Sequence, residues 1–230
     1  MKTIGLLGGM SWQSTLGYYQ QINELVALKL GGLHSAKIAM RSVDFAPVAA
    51  MQKQDRWQEM GQLLSAEARL IEAAGADCLL ICTNTMHLVA EQVAEAISIP
   101  LLHIADATAQ QLHAQQQQKV ALLGTVFTMQ KSFYKDRIRE RFGIEVIVPD
   151  NAAQLQVNDV IYNELCVGQI SETSRQQFLN IIAELKQRGA EGVILGCTEI
   201  GLLVQQQHCS LPLFDTTSIH AKAAVDFALA

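Results

Sequence analysis

The chain lacks three features that would direct it to particular partners. No apolar run approaches the ~18 residues that a transmembrane helix needs, so no membrane span is expected. Lysines and arginines form no cluster, and the formal net charge is −5. Such a charge balance argues against a nucleic-acid partner. What remains is a 230-residue chain, half of it apolar, which is enough for one large or two small domains with cores of their own.

The cysteines also lack a pattern. There are five, an odd number, at positions 78, 82, 166, 197 and 209, and none has paired spacing. The opening MKTIGLLGGMSW carries one lysine and a short apolar run that Gly8 and Gly9 interrupt, which predicts a buried strand rather than an export signal. We therefore expect reduced thiols in a cytoplasmic protein. No histidine–cysteine group has zinc-ligand spacing, so no metal site is predicted.

What is present is an alternation of short apolar runs with amphipathic segments. Strands without polar alternation, separated by helical patterns such as 59–74, indicate an α/β fold with buried parallel sheets. The runs that predict strands are IGLL (4–7), DCLLIC (77–82), VALLG (120–124), IEVIV (144–148) and GVILG (192–196).

The pattern occurs twice. The segment 74–83 aligns with 188–197: each has a glycine, then an acidic residue, then four apolar residues that lead to a polar strand end. GLLGG (5–9) matches ALLGT (121–125), and the segment from Ile99 matches that from Leu211. Three matches in the same order predict two pseudo-symmetric α/β lobes, each a mainly parallel sheet flanked by helices, with a site in the cleft between them.

We place the lobes at residues 1–115 and 116–230, with the last helix a candidate to pack back on the first lobe. The glutamine-rich AQQQQK (114–119) lies at the junction and is expected to be a solvated helix end or linker.

The repeat also separates two neighbouring candidates in ICTNTMH (81–87). The equivalent of Cys197 is Thr83, whereas the equivalent of Cys82 is Gly196. Adjacent residues of an extended chain point to opposite sides. If Cys197 faces a ligand, Thr83 does so too, and Cys82 points into the packing behind.

The predicted strand ends carry small, neutral, donor-rich groups. Ligands of open α/β sheets bind beyond the carboxyl ends of the strands, so these groups suit a small anion. A thiol placed there should have a lowered pKa and act as a base. Two facing lobes would offer one group to each face of the ligand. GLLGGMSW lacks both dinucleotide-loop and P-loop spacing, and predicts a tight strand-to-helix turn whose backbone contacts the ligand.

Taken together, GLLGGMSW, CTNTMH, ALLGTVFTM and GCTEIGLL resemble the motifs of the cofactor-independent aspartate/glutamate racemases, over essentially the whole chain. The resemblance implies two pseudo-symmetric α/β lobes and an enzyme that uses two cysteines on opposite faces of an amino acid, without pyridoxal phosphate. The chain resembles the subgroup acting on L-aspartate and L-glutamate, and relatives are commonly homodimers. No lysine stands at the strand ends, which also argues against pyridoxal phosphate.

One motif departs from the family. The usual Cys-Asn-Thr is here Thr83-Asn84-Thr85, so Thr83 occupies the first catalytic position and Cys197 the second. In the family the second-half cysteine takes the proton from the L-enantiomer. The resemblance thus implies Cys197 as base and Thr83 as opposite-face acid, with Thr83 too weak a base for the reverse reaction.

The resemblance also supplies binding residues. Asn84, Thr85 and Thr198 match positions that hold the α-carboxylate and amino group, and the Met10 loop closes over the substrate. Other groups expected at the site are Gln52 for the side-chain carboxylate (Lys53 or Arg56 as alternatives), Thr125, and, beside the catalytic pair, Glu199 and His87. For Glu199 a site role is slightly favoured over a purely structural one, and for His87 the two are balanced.

Two other functions stay open. A decarboxylase or isomerase related to the arylmalonate decarboxylases would need a single thiol. A non-catalytic amino-acid-binding protein would need none. We favour the racemase because Cys197, Asn84, Thr85 and Thr198 are all present.

Overall fold

The computed structural model describes all residues, 1–230, as alternating strands and helices. Seven strands form two sheets: β1 (Ile4–Gly8), β2 (Ile38–Ser42), β3 (Cys78–Ile81), β4 (Lys119–Gly124), β5 (Glu145–Ile147), β6 (Gly192–Gly196) and β7 (Leu213–Asp215). Eleven α-helices connect and follow them: α1 (Trp12–Leu30), α2 (Phe45–Lys53), α3 (Trp57–Ala73), α4 (Ala90–Ala94), α5 (Ile104–Ala114), α6 (Val126–Gln130), α7 (Ser132–Phe142), α8 (Asn151–Asn163), α9 (Glu172–Gln187), α10 (Ile200–Leu203) and α11 (Thr216–Leu229). Short 3-10 helices cover Thr85–Val89, Leu165–Val167 and Gln206–His208.

The chain forms two compact units. The first contains Met1–Ile104 with Thr217–Ala230, and the second contains Ala105–Thr216. The division falls at the start of α5, whereas the sequence placed it at residue 115, just after this helix. Within the second unit, the Asp106 carboxylate of α5 accepts hydrogen bonds from Arg137 at 2.5 and 2.7 Å and from Arg141 at 3.0 Å. These contacts tie α5 to the elements that follow it.

In the first unit a parallel sheet of order β2-β1-β3 is covered by helices on both faces. On one face Leu7, Leu79 and Ile81 pack with side chains of α2, α3 and α4. On the other, Ile4, Leu6 and residues of β3 pack with α1 and α11. The alternation follows from the two-residue period of a strand, and burial on both sides explains why these strands are continuously apolar.

In the second unit the parallel sheet has the order β5-β4-β6-β7. Alternate residues of β4 and β6 pack into the main core cluster with α8, α9 and α10. The order β5-β4-β6 corresponds to β2-β1-β3 of the first unit. The first unit has no strand equivalent to β7, but an isolated parallel bridge, Leu79–Leu101, lies beside β3 where β7 lies beside β6. Both units are thus parallel-sheet α/β structures, as predicted.

The repeated acidic residue has a structural role in each unit. Asp77 Oδ2 accepts the backbone N–H of Thr3 at 2.6 Å, and Glu191 Oε2 accepts that of Gln118 at 2.7 Å. Each carboxylate thereby satisfies an amide just before the unit's first strand. The glycines that precede them, Gly75 and Gly189, have φ of +87° and +93°, which glycine adopts without steric cost.

Candidate active site

Two neighbouring strands of the first unit deliver candidate residues to the same sheet edge. β1 and β3 are parallel with Leu7 opposite Ile81, and the Cys82 N–H donates to the Leu7 carbonyl at 2.9 Å. The segments that follow them, which carry Met10 and Thr83, therefore start side by side. Met10 is buried in the cluster with α2, α3 and α4.

The turn after β1 is tight, as its sequence predicts. Ser11 caps α1 by accepting the Ser14 N–H at 3.2 Å, and the Gly9 N–H donates to Thr15 Oγ1 at 2.8 Å. A Cβ on Gly9, whose φ is +92°, would lie 2.2 Å from the Val43 carbonyl oxygen. Only glycine fits there.

Cys82 is part of the core. It is fully buried in the cluster that contains β1, α1 and α11, and burial raises the pKa of its thiol. The sequence prediction that Cys82 points into the packing is confirmed. Thr83, the next residue, is 9% exposed, and its hydroxyl makes no hydrogen bond within the chain.

Side chains hold the backbone on either side of the Thr83 nitrogen. Ser14 Oγ donates to the Cys82 carbonyl at 2.9 Å, and His87 Nδ1 lies 2.8 Å from the Thr83 carbonyl. His87 was a candidate from the sequence, but Ser14 was not, because sixty-eight residues separate it from Cys82. Asn84 and Thr85 follow at the start of the Thr85–Val89 helix, and both are buried.

Gln52 is the one of three specificity candidates that points inward. It is 3% exposed, and its amide nitrogen lies 3.8 Å from Met86 Sδ, one residue after Thr85. Lys53 is exposed, and Arg56 is exposed and paired with Glu59 on the surface. Gln52 is therefore placed beside the Thr83–Thr85 segment.

In the second unit, β4 and β6 pair with Gly124 opposite Gly196, so Thr125 and Cys197 each follow one of two paired strand ends. Thr125 caps α6: its Oγ1 accepts the Thr128 N–H at 3.3 Å and lies 3.1 Å from the Thr128 hydroxyl. This cap accounts for a threonine at that position on structural grounds alone.

Cys197, Thr198 and Glu199 form a compact polar group. The Cys197 thiol donates to Glu199 Oε2 at 3.0 Å, and the Thr198 hydroxyl donates to the same oxygen at 2.6 Å. Glu199 is 4% exposed, so its carboxylate meets these donors out of bulk water. Cys197 itself packs against the α8–α9 face of the sheet.

The expectation of a lowered thiol pKa is wrong for this structure. Burial raises the pKa of Cys197 well above its ordinary value, and the negative charge of Glu199 raises it further. Both effects favour the uncharged thiol. At neutral pH the group therefore holds a proton on sulfur, pointed at a carboxylate that can accept it.

Two groups near Cys197 were not predicted from the sequence to be site residues. Tyr162 at the end of α8 and Cys166 in the following 3-10 helix pack against the same core cluster. Burial raises the pKa of Cys166 to about 12, with a smaller contribution from the Glu199 charge. Neither residue lies in a recognisable motif, and only tertiary packing brings them to this cluster.

The chain is similar to known proteins over nearly its whole length. A family model described as Asp/Glu/Hydantoin racemase matches residues 7–224, nearly the whole chain. The chain belongs to this family. It has the fold of this racemase family, and racemases are isomerases.

Individual relatives agree with the racemase family assignment. The chain is 26% identical to the broad specificity amino-acid racemase RacX of Bacillus subtilis over 231 residues, which cover 99% of this chain and 98% of RacX. A crystal structure of a candidate Asp/Glu racemase from Yersinia pestis is 53% identical, with a TM-score of 0.94 and 100% of each chain covered. An aspartate racemase homologue from Pyrococcus horikoshii OT3 is 32% identical, with a TM-score of 0.88 and 100% of each chain covered.

Two further findings concern membranes and metal ions. None of its helices combines the length and apolar character needed to cross a bilayer. No three histidine, cysteine, aspartate or glutamate side chains are grouped so as to hold a metal ion.

Replacing Glu199 by glutamine is expected to accelerate alkylation of Cys197. The substitution removes a negative charge that raises the thiol pKa, so the pKa falls. A lower pKa means more thiolate at a given pH, so we expect a faster reaction with iodoacetamide at about pH 8. Mass spectrometry of the Cys197 peptide over time measures it.

Glu172→Gln is the matched control, because this carboxylate lies on the exposed start of α9 and pairs with Arg175. Its Cys197 alkylation rate should equal that of the unsubstituted protein. An unchanged rate in Glu199→Gln would show that the Glu199 charge does not control the thiol.

Proposed function

We propose that the chain is a cofactor-independent amino-acid racemase that acts on L-aspartate and L-glutamate, with Cys197 as the base and Thr83 as the acid on the opposite face of Cα. The observation that carries the proposal is the Cys197 thiol donating to the buried Glu199 carboxylate at the end of β6. A thiol with a proton acceptor already in place is poised to become a thiolate base.

The first step moves two protons. The thiol proton passes to Glu199, and the resulting thiolate takes the α-proton of the L-amino acid. The electron pair of the broken C–H bond stays on the substrate as a carbanion delocalised into its α-carboxylate. A carboxylate that takes up the thiol proton offsets the cost of forming a buried thiolate.

The second step returns a proton to the other face. Thr83 donates its hydroxyl proton to Cα, which yields the D-amino acid, and water restores the hydroxyl. Glu199 then releases its proton to solvent and Cys197 keeps the α-proton as a thiol, which restores the resting state. The Thr83 hydroxyl supports this role, because the hydrogen bonds of Thr83 use only its backbone and leave the hydroxyl available to the substrate.

Binding is proposed to use neutral donors rather than a charge cluster. Asn84, Thr85 and Thr198 would hold the α-carboxylate and amino group, and the Met10 and Thr125 segments would border the substrate. Gln52 would donate its amide to the side-chain carboxylate. Its burial next to Met86 supports this choice over Lys53 and Arg56. A neutral amide permits acidic substrates without demanding them.

Proton NMR of L-aspartate and L-glutamate in D2O with the purified protein, and with no cofactor added, tests the proposal. We expect loss of the α-proton signal, and chiral chromatography should show the D-enantiomer. Release of CO2 from a substituted malonate without α-proton exchange would favour a decarboxylase. Tight binding of the amino acid with no exchange would indicate a binding protein. A cytoplasmic location and a homodimer stay predictions of the sequence.

A further inference from the structure

His87 uses both of its ring nitrogens in backbone hydrogen bonds. Nδ1 lies 2.8 Å from the carbonyl oxygen of Thr83, and Nε2 lies 3.2 Å from the backbone nitrogen of Ile104, the first residue of α5. The side chain is 3% exposed. It thus connects the strand end that carries Thr83 to the segment that enters α5.

These two partners determine the protonation of the ring. A carbonyl oxygen only accepts, so Nδ1 carries the hydrogen; a backbone N–H only donates, so Nε2 carries a lone pair. The imidazole is therefore the neutral Nδ1–H tautomer. A second proton on Nε2 would break the bond to Ile104 and leave a buried amide without that acceptor.

Two other histidine rings contact His87. The ring centroid of His103 lies 4.5 Å from that of His87, and the ring centroid of His220 lies 5.8 Å from it. His220 is itself held neutral: its Nε2–H donates to the Leu102 carbonyl at 2.7 Å, and its Nδ1 accepts the Tyr18 hydroxyl at 2.9 Å. Burial lowers the pKa of His220 to about 4.

We infer that His87 is a positioning residue that holds the Thr83 backbone as a permanently neutral imidazole and relays no proton to the Thr83 hydroxyl. The inference rests on the proposed function, in which Thr83 is the acid. Its geometric basis is that His87 binds the carbonyl of Thr83, while Ser14 binds the preceding carbonyl. Because the carbonyls of Cys82 and Thr83 are both held by hydrogen bonds, the backbone orients the Thr83 hydroxyl. After this hydroxyl has given up its proton, water and not His87 supplies the replacement.

Three substitutions separate positioning from proton relay. Asparagine places an amide N–H near the position of Nδ1 and keeps the bond to Thr83; glutamine reaches only toward the Nε2 position; alanine keeps neither. We expect His87→Asn to retain kcat for racemisation of L-aspartate within about fivefold, with an unchanged pH profile, whereas His87→Gln and His87→Ala lose about tenfold or more. If His87→Asn loses as much as His87→Ala at equal thermal stability, the positioning role is overturned.

The protonation state is measured without activity. Long-range ¹H–¹⁵N NMR of ¹⁵N-histidine-labelled protein, assigned with His87→Asn, should show the Nδ1–H tautomer for His87 from about pH 5.5 to 8.5, a range that spans the ordinary histidine titration. Titration of His87 within that range would overturn the inference. If the unsubstituted protein exchanges no α-proton, the proposed function fails, and the NMR result still decides whether His87 is locked neutral.

Discussion

Replacing Cys197 by alanine should reduce α-proton exchange of L-aspartate and L-glutamate by at least about 10³-fold. The substitution removes the proposed base, and a positioned acid–base group contributes roughly 10²–10⁴-fold to a rate. Exchange in D2O followed by proton NMR provides the measurement.

Two further variants distinguish lost chemistry from lost folding. Cys197→Ser keeps a hydrogen-bond donor toward Glu199 and a similar volume, so it should bind L-aspartate in a calorimetric titration and yet exchange as slowly as Cys197→Ala. Cys82→Ala removes the neighbouring thiol from the core and should cost about 1 kcal/mol of stability. Its exchange rate should stay within about twofold of the unsubstituted protein, because Cys82 is fully buried away from the proposed site.

The opposite pattern would refute the assignment. If Cys82→Ala abolishes exchange while Cys197→Ala preserves more than about a tenth of it, the reactive thiol is Cys82 and not Cys197.

The L- and D-enantiomers should differ strongly in α-proton exchange. The thiolate of Cys197 removes the proton of the L-form, passes a deuteron back through Glu199 and can return it to the same face. The D-form needs Thr83 as base, and a threonine hydroxyl is a poor base near neutral pH. We expect L-aspartate to exchange with retention about 10²-fold faster than D-aspartate exchanges.

The one-way behaviour expected from the sequence can appear only in α-proton exchange and not in the rates of racemisation. L- and D-aspartate have equal free energies in water, so kcat/KM for racemisation must be equal in the two directions. Because the Thr83 hydroxyl is a weak base, racemisation is slow in both directions. The observable difference between the enantiomers is faster α-proton exchange of the L-form. Comparing NMR exchange with chiral chromatography on the same samples separates the two rates.

Thr83→Cys should remove the difference. A second thiol, with an ordinary pKa near 8.5, can both donate and accept a proton, so racemisation should rise and D-aspartate exchange should approach that of L-aspartate. Thr83→Ser, which keeps a hydroxyl, is the control and should retain the asymmetry. Equal exchange of L- and D-aspartate by the unsubstituted protein would refute the assignment of Thr83 as acid only.

Much of the fold was predictable because buried parallel strands leave a strong local signal. The runs at 4–7, 77–82, 120–124 and 192–196 all became strands within a residue or two of their predicted bounds. β2 was missed: Ile38–Ser42 lies at a sheet edge, is largely exposed and has an apolar run of only three residues, so its pairing with β1 defines it. The first unit's counterpart of β7 was visible only through the repeat, since it makes a single bridge, Leu79–Leu101.

The candidate site divides in the same way. The order of residues along a strand is local, so the repeat placed Thr83 opposite Cys197 in the alignment and Cys82 in the core. The Cys197 thiol pKa is not local. A strand end near a helix favours a lowered pKa, but burial and the Glu199 carboxylate act in the other direction and raise it.

The sequence by itself determined the α/β class, the internal repeat, the racemase family and the choice of Thr83 over Cys82. These depend on periodicity and on motifs within a few residues of one another. Only the tertiary structure decided that Gln52 rather than Lys53 faces inward, that Ser14 and His87 hold the Thr83 segment, and that Cys197 rests as a thiol on Glu199. Each of these depends on burial or on hydrogen bonds set by packing, which a linear pattern does not encode.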